Sequence, residues 1–103
     1  MESVVITGAA RTAMGGFQGV FADVDAPTLG GAAIRAALSQ AQITTADEVL
    51  MGCVLPAGLG QAPARQAGFA AGLGEDVPAT TLNKMCGSGM KAAMMAFNQI
   101  AMG

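Results

Sequence analysis

Residues 77–92, which have the sequence VPATTLNKMCGSGMKA, contain the pattern that decides the fold. Ala79–Leu82 predicts a short strand, and the glycines at positions 87 and 89 predict a turn directly after it. From residue 87 to residue 103 the sequence predicts a helix whose apolar residues cover most of its circumference. A helix of this kind is typical of the interior of a larger protein. The stretch therefore predicts a strand, a turn that contains Cys86, and a buried helix.

Upstream of this stretch, short apolar runs alternate with helical patterns. The expected elements are strands at 4–7 and 49–55, helices at about 28–41 and 62–73, and an irregular loop from 9 to 25. Asp25 or Thr28 is available to cap the first helix. The continuous apolar run of the second strand is typical of a parallel strand that is covered on both faces. Strand, helix and strand in this order form a right-handed βαβ unit, so we expect an α/β fold.

The composition indicates that much of the surface contacts further protein. Hydrophobic residues make up 52% of the 103 residues and charged residues only 12%, whereas an ordinary soluble domain has about 25% charged residues. Little polar material is therefore available to cover a domain of this size. Neither a repeat nor a linker divides the sequence, so we expect residues 1–103 to be one incomplete part of a larger domain.

Charge and hydropathy argue against two classes of partner. Five lysines and arginines against seven acidic residues give a net charge of −2, so the positive surface of a nucleic-acid binder is missing. No window of about 18 residues is apolar throughout, and the start of the sequence lacks the features of a secretory signal. We therefore expect a cytoplasmic protein without a membrane partner, in which the two cysteines are free thiols.

Cys86 is the candidate catalytic residue because it lies between a predicted strand and a predicted helix. A thiol at a helix N-terminus is close to the positive end of the helix dipole and to unpaired N–H groups, and both favour the thiolate. Gly87 and Gly89 have no side chain that would obstruct a substrate carbonyl. The local residues also fit a buried structural cysteine before a tight turn. Cys53, inside the predicted strand, is interpreted as an inert core residue.

Two weaker patterns predict no site. Gly58–Gln61 lacks both the glycine spacing of a dinucleotide-binding loop and the lysine of a P-loop, so it predicts a plain turn. The eight methionines suit soft-metal ligation, but those on the last helix recur at helical spacing among alanines, which is typical of core filling. We therefore predict no metal site and no permanently bound cofactor.

The segment 77–92 closely resembles the active-site cysteine signature of thiolases, the acetyl-CoA acetyltransferase family. Residues 9–12 (AART), 49–52 (VLMG) and 61–67 (QAPARQA) resemble further motifs of this family in the same order, so the resemblance covers the whole chain. It implies the thiolase fold, an α/β fold with α-β-α-β-α layers in the complete protein. Residues 1–103 would then be an incomplete, N-terminal part of the thiolase N-terminal domain.

The resemblance also implies a reaction and a role for Cys86. This residue would be the nucleophile that accepts an acyl group from acyl-CoA, and its backbone N–H would be part of an oxyanion hole. The substrates would be coenzyme A thioesters, either two acetyl-CoA molecules in a Claisen condensation or a 3-ketoacyl-CoA that CoA cleaves. The family implies a homodimer or homotetramer.

Thiolases also use a histidine, a second cysteine and an asparagine, which the resemblance places far downstream in a longer chain. This sequence contains no histidine, and neither Cys53 nor Asn83 lies at a matching position. We therefore expect catalysis to need the remainder of a thiolase chain and the isolated 103 residues to be inactive.

Two other functions fit parts of the sequence. A truncated, non-catalytic fragment could act as an interaction module that pairs with a full-length subunit through the strand at 79–82. A related condensing enzyme of fatty-acid synthesis is the other alternative, which the detailed match of residues 83–89 disfavours.

Overall fold

The computed structural model describes residues 3–103. The elements in chain order are α1 (Ala26–Ala41), β1 (Val49–Gly52), α2 (Pro63–Ala70), β2 (Ala79–Leu82) and α3 (Ser88–Ala101). Each of these elements lies where the sequence predicts one, although β1 and α2 are shorter than expected because each ends before a glycine-containing or proline-containing turn. None of the helices in this part of the chain has the length and hydropathy to cross a bilayer.

The two strands form a parallel pair. Val49 lies opposite Ala79 and Gly52 lies opposite Leu82. The pairing extends beyond both ends, because the N–H of Val49 donates to the carbonyl of Pro78 at 2.9 Å and the N–H of Cys53 donates to the carbonyl of Leu82 at 2.9 Å. Helix α2 connects the strands, so β1, α2 and β2 form a βαβ unit, which is not the predicted unit of a strand at 4–7, a helix at 28–41 and a strand at 49–55. The predicted α/β class is confirmed.

The N-terminus of α1 has the side-chain cap that the sequence predicts. The carboxylate of Asp25 accepts hydrogen bonds from the backbone N–H of Thr28 at 2.9 Å and from the Thr28 hydroxyl at 2.6 Å. These two bonds, the hydroxyl bond first, lower the pKa of Asp25 below its ordinary value of 3.8. Pro27 occupies the first turn, where its missing N–H costs no helical hydrogen bond. Local sequence therefore determines where α1 begins.

The core is small and lies between α2 and the sheet. Buried residues from β1, α2 and the turn before β2 form one cluster, namely Val49, Ala64, Leu73 and Val77. Thr81 of β2 also accepts a hydrogen bond from the N–H of Ala64 at 2.9 Å, and this bond satisfies one of the free donors at the start of α2. Sheet and crossover helix are thus joined by both apolar packing and a side-chain cap.

The strand expected at residues 4–7 is absent, and that part of the prediction is wrong. These residues have no strand pairing, and Val5 and Ile6 are 73% and 87% exposed. The chain contacts α1 instead: the N–H of Ala9 donates to the side chain of Gln40 at 2.9 Å. An apolar β-branched run forms a strand only when a neighbouring edge supplies hydrogen-bond partners, and neither strand of the described sheet pairs with this run. Consequently α1 is not the crossover of a βαβ unit in this structure.

Helix α3 packs on β1 with one face and leaves much of its apolar surface uncovered. Ala92 and Ala101 are buried, whereas Met90 is 73% exposed and Phe97 is 48% exposed. The sequence predicts that this helix is buried inside a larger protein. Within residues 3–103 it is buried on one side only, because the small helices and the two-stranded sheet do not reach its other side.

Candidate active site at Cys86

Cys86 lies in the short loop between β2 and α3, directly before Gly87, the N-cap residue of the helix. It is exposed and its thiol is free. The buried structural cysteine that the local sequence also fits is therefore not what this structure shows. The prediction that Cys86 lies at a helix N-terminus is confirmed.

The N-terminus of α3 is open toward solvent. Gly87 provides no side-chain hydrogen bond to the first turn, so backbone N–H groups at this end of the helix remain free of side-chain caps. A Cβ atom built at Gly89 would meet no atom within 4 Å, which shows that the space beside the first turn is empty. Free N–H groups and the positive end of the helix dipole favour an anion or a polarised carbonyl at this position.

The backbone before Cys86 has an unusual conformation. Met85 has a φ of +48°, in the left-handed region that residues with a side chain seldom adopt. Asn83 stabilises this turn from the β2 side. Its Oδ1 accepts a hydrogen bond from the N–H of Met85 at 2.9 Å, and its Nδ2 donates to the carbonyl of Val54 at 3.2 Å. The loop is thereby tied to the chain that follows β1.

Ser88 stabilises the same turn from the helix side. Its hydroxyl accepts a hydrogen bond from the N–H of Lys84 at 2.8 Å and donates one to the carbonyl of Met85 at 2.6 Å. Its backbone N–H also donates to that carbonyl, at 3.1 Å. Ser88 is only 4% exposed, so water does not compete strongly for these bonds. The loop that carries Cys86 therefore has a defined shape.

Gly52 at the end of β1 allows α3 to approach the sheet closely. A Cβ atom at this position would lie 2.5 Å from the Cβ of Ser88 and 2.9 Å from the N of Gly89. Only a residue without a side chain fits between the strand end and the first turn of the helix. The position of the helix N-terminus, and with it the position of Cys86, depends on this contact.

Other candidate features of this chain lie away from Cys86. A groove of about 910 Å³ runs between residues 8–10, α1, β1 and α3, and Cys86 is not among the residues that line it. Cys53 is half-buried one residue beyond β1 and lines a different, smaller pocket. Between residues 3 and 103 no three His, Cys, Asp or Glu side chains lie together as a metal site would require. Cys86 is thus the candidate nucleophile, and the groove belongs to the packing of α3 and not to the thiol.

Sequence reasoning missed three residues that shape this site. Asn83 carried a usable signal, since asparagine commonly accepts a hydrogen bond from the backbone N–H two residues ahead. A glycine such as Gly52 inside a strand pattern signals close approach of another backbone, but does not say which one. Ser88 carried a weaker signal of the same kind, since serine can bond to backbone groups three or four residues before it.

Comparison with known proteins finds similarity over almost the whole chain. The family model for the thiolase N-terminal domain matches residues 4–103. The chain is 54% identical to an acetyl-CoA acetyltransferase of Cupriavidus necator and 52% identical to one of Pseudomonas aeruginosa, in each case over the whole chain and 27% of the relative. It is 49% identical to an acetyl-CoA acetyltransferase of Escherichia coli with the same coverage. The chain thus spans about a quarter of the length of these relatives, and it belongs to the thiolase family.

Proposed function

We propose that these residues are the N-terminal part of an acetyl-CoA acetyltransferase and that Cys86 is its nucleophile. One observation carries this proposal: an exposed, free thiol lies at the open N-terminus of α3, in a loop that hydrogen bonds hold on both sides. The names of the relatives supply the substrate class, which is a coenzyme A thioester. We also propose that residues 1–103 on their own are inactive.

In the proposed first step, the thiolate of Cys86 attacks the carbonyl carbon of acetyl-CoA. The new C–S bond forms, the carbonyl oxygen takes up negative charge, and the bond to the CoA sulfur then breaks as the oxyanion collapses. CoA leaves with the electron pair of that bond and a proton, and the acetyl group remains on Cys86 as a thioester. In the second step, a base from elsewhere in the protein removes a proton from the α-carbon of a second acetyl-CoA, and this carbon attacks the carbonyl of the acetyl group on Cys86. The C–S bond to Cys86 then breaks, the sulfur leaves with the electron pair as the thiolate, and acetoacetyl-CoA is formed; thiolytic cleavage is the reverse.

In this proposal, α3 gives electrostatic help for the first step, and the base comes from elsewhere in the protein. The N-terminus of α3 faces the loop that carries Cys86, and preorganised N–H groups stabilise the oxyanion of such a reaction. The chain has no histidine, so proton transfer to and from the thiol depends on residues from elsewhere in the protein. We propose that the remainder of a thiolase chain provides these residues and covers the exposed side of α3.

The proposed assembly is a homodimer or homotetramer. Its support is the outer edge of β2, which pairs with no other strand within residues 3–103 and can extend the sheet to a second copy. Light scattering at micromolar concentration is the test, and a monomer would contradict the proposal.

A cytoplasmic location also stays a prediction, for which fractionation of the source cells is the measurement.

The activity is tested in a hybrid enzyme in which residues 1–103 replace the matching segment of the Cupriavidus necator relative. We expect this enzyme to cleave acetoacetyl-CoA and to carry an acetyl group on the peptide that contains Cys86 after mixing with acetyl-CoA. Cys86→Ala should abolish both. Cys53→Ala is the matched control, and it should retain both because Cys53 lies outside the loop. An inactive hybrid that still folds, or acetylation at Cys53, would contradict the proposed function.

A further inference from the structure

Ser88 holds the peptide group that joins Met85 to Cys86, and this contact goes beyond the role of Cys86 itself. The carbonyl of that peptide belongs to Met85, and its N–H belongs to Cys86. The carbonyl accepts two hydrogen bonds from Ser88, one from the hydroxyl at 2.6 Å and one from the backbone N–H at 3.1 Å. Two donors on one carbonyl oxygen fix the direction of the whole peptide plane.

A fixed carbonyl also fixes the opposite side of the same peptide. In a trans peptide the C=O and N–H bonds point in opposite directions, so the N–H of Cys86 is directed away from Ser88. This N–H donates no hydrogen bond to any residue between 3 and 103, and Cys86 itself is exposed. A directed, unpaired N–H group beside a nucleophilic sulfur is the arrangement that stabilises the oxyanion of acyl transfer.

The remaining hydrogen bonds around the loop prevent this peptide group from flipping. The Ser88 hydroxyl accepts from the N–H of Lys84 at 2.8 Å, so its own proton is directed to the Met85 carbonyl. Asn83 accepts from the N–H of Met85 at 2.9 Å, which fixes the preceding peptide as well. Met85 keeps its left-handed conformation because both peptides that flank it are held.

We propose that Ser88 is a positioning residue that aims the backbone N–H of Cys86 at the oxyanion formed when Cys86 takes up an acyl group. Asn83 supports it by holding the peptide before Met85. This inference rests on the proposed function, since it needs Cys86 to be the nucleophile. It assigns a specific role to the buried hydroxyl of Ser88. This hydroxyl affects the rate of acylation and not the nucleophilicity of the sulfur.

Two reactions of the same thiol separate these effects in the hybrid enzyme. Acylation by acetyl-CoA passes through a tetrahedral oxyanion, whereas iodoacetamide alkylates the thiolate by displacing iodide and forms no oxyanion. Ser88→Ala should slow acetylation of Cys86 at least about 10-fold, since complete loss of an oxyanion donor costs about 10² to 10³ in rate. The alkylation rate should stay within about twofold. Ser39→Ala, at an exposed position on α1, is the matched control and should change neither rate.

A second pair of variants keeps the test decisive where Ser88→Ala disturbs folding. Asn83→Asp keeps the acceptor for the N–H of Met85, and Asn83→Ala removes it. We expect the alanine variant to lose more acetylation rate than the aspartate variant, again without a matching loss of alkylation. Asn83 is exposed, so both variants should fold.

Three outcomes would overturn the inference or its basis. Unchanged acetylation in Ser88→Ala and Asn83→Ala, with an active unmodified enzyme, would refute the positioning role alone. Parallel loss of acetylation and alkylation, accompanied by a lower thermal midpoint, would show that Ser88 merely maintains the loop. Absence of acetylation at Cys86 in the unmodified hybrid would instead refute the proposed function.

Discussion

A side chain at residue 52 should displace the helix that carries Cys86. The Cβ of a Gly52→Ala variant would lie 2.5 Å from the Cβ of Ser88 and 2.7 Å from its carbonyl carbon. Ordinary contact begins at 3.4 Å, so α3 must move by about 0.9 Å to accommodate one methyl group. The obstructing atoms are a Cβ and backbone atoms, which cannot rotate away as the end of a flexible side chain can.

The expected magnitude follows from this displacement. Overpacking of a close contact costs about 1 to 3 kcal/mol, so the hybrid enzyme should unfold at a lower temperature. A shift of about 1 Å in a reacting group lowers the rate by about 10²-fold, so the rate of acetylation by acetyl-CoA should fall more than stability alone would explain. The assays are thermal unfolding and the initial rate of acetylation at Cys86.

The matched control for this prediction is Gly16→Ala. A Cβ at Gly16 would meet no atom within 4 Å, and its backbone has no positive φ that an alanine would strain. It should therefore behave like the unmodified enzyme in both assays. Equal thermal midpoints and equal acetylation rates for the two variants would refute the idea that Gly52 sets the position of α3.

Three further predictions concern reactivity, pH and the isolated chain. Iodoacetamide should modify Cys86 before Cys53 in the hybrid enzyme, with protection by acetyl-CoA, and peptide mass spectrometry that finds Cys53 modified first would contradict the assignment. The cap at Asp25 should stabilise α1 fully above pH 3.8 and lose this effect as the pH falls through the lowered pKa. Asp25→Ala should therefore lower the thermal midpoint of the hybrid enzyme at pH 7, and the difference should shrink steadily as the pH is lowered below 3.8; a difference that does not change with pH would contradict the role of the ionised cap. Residues 1–103 expressed alone should be poorly soluble because α3 exposes large apolar side chains. They should not cleave acetoacetyl-CoA, because the chain has no histidine to act as a base. A soluble, cooperatively melting and active chain would disprove both expectations.

Features that depend on neighbouring residues were predictable from the sequence. The bounds of β2 agree with the structure, and α1 begins at the predicted Asp25 cap, because both depend on residues within a few positions. The place of Cys86 at the start of α3 followed in the same way from two glycines and a helical pattern. Together with the long cysteine signature, these local features also indicate the family.

Features that depend on residues distant in sequence were decided by the tertiary structure alone. The run at 4–7 has the composition of a strand, yet no neighbouring edge pairs with it, and a strand exists only as part of a ladder. The fit of Gly52 against Ser88 joins two positions that lie 36 residues apart and leave no joint pattern in the sequence. The bonds that hold the left-handed turn at Met85 are local, but the bond from Asn83 to the carbonyl of Val54 ties the loop to a position 29 residues away. The sequence by itself thus determined which residue carries the thiol and the local turn around it, and the tertiary structure decided where that loop and its helix lie against the sheet, because contacts between distant positions leave no joint pattern in the sequence.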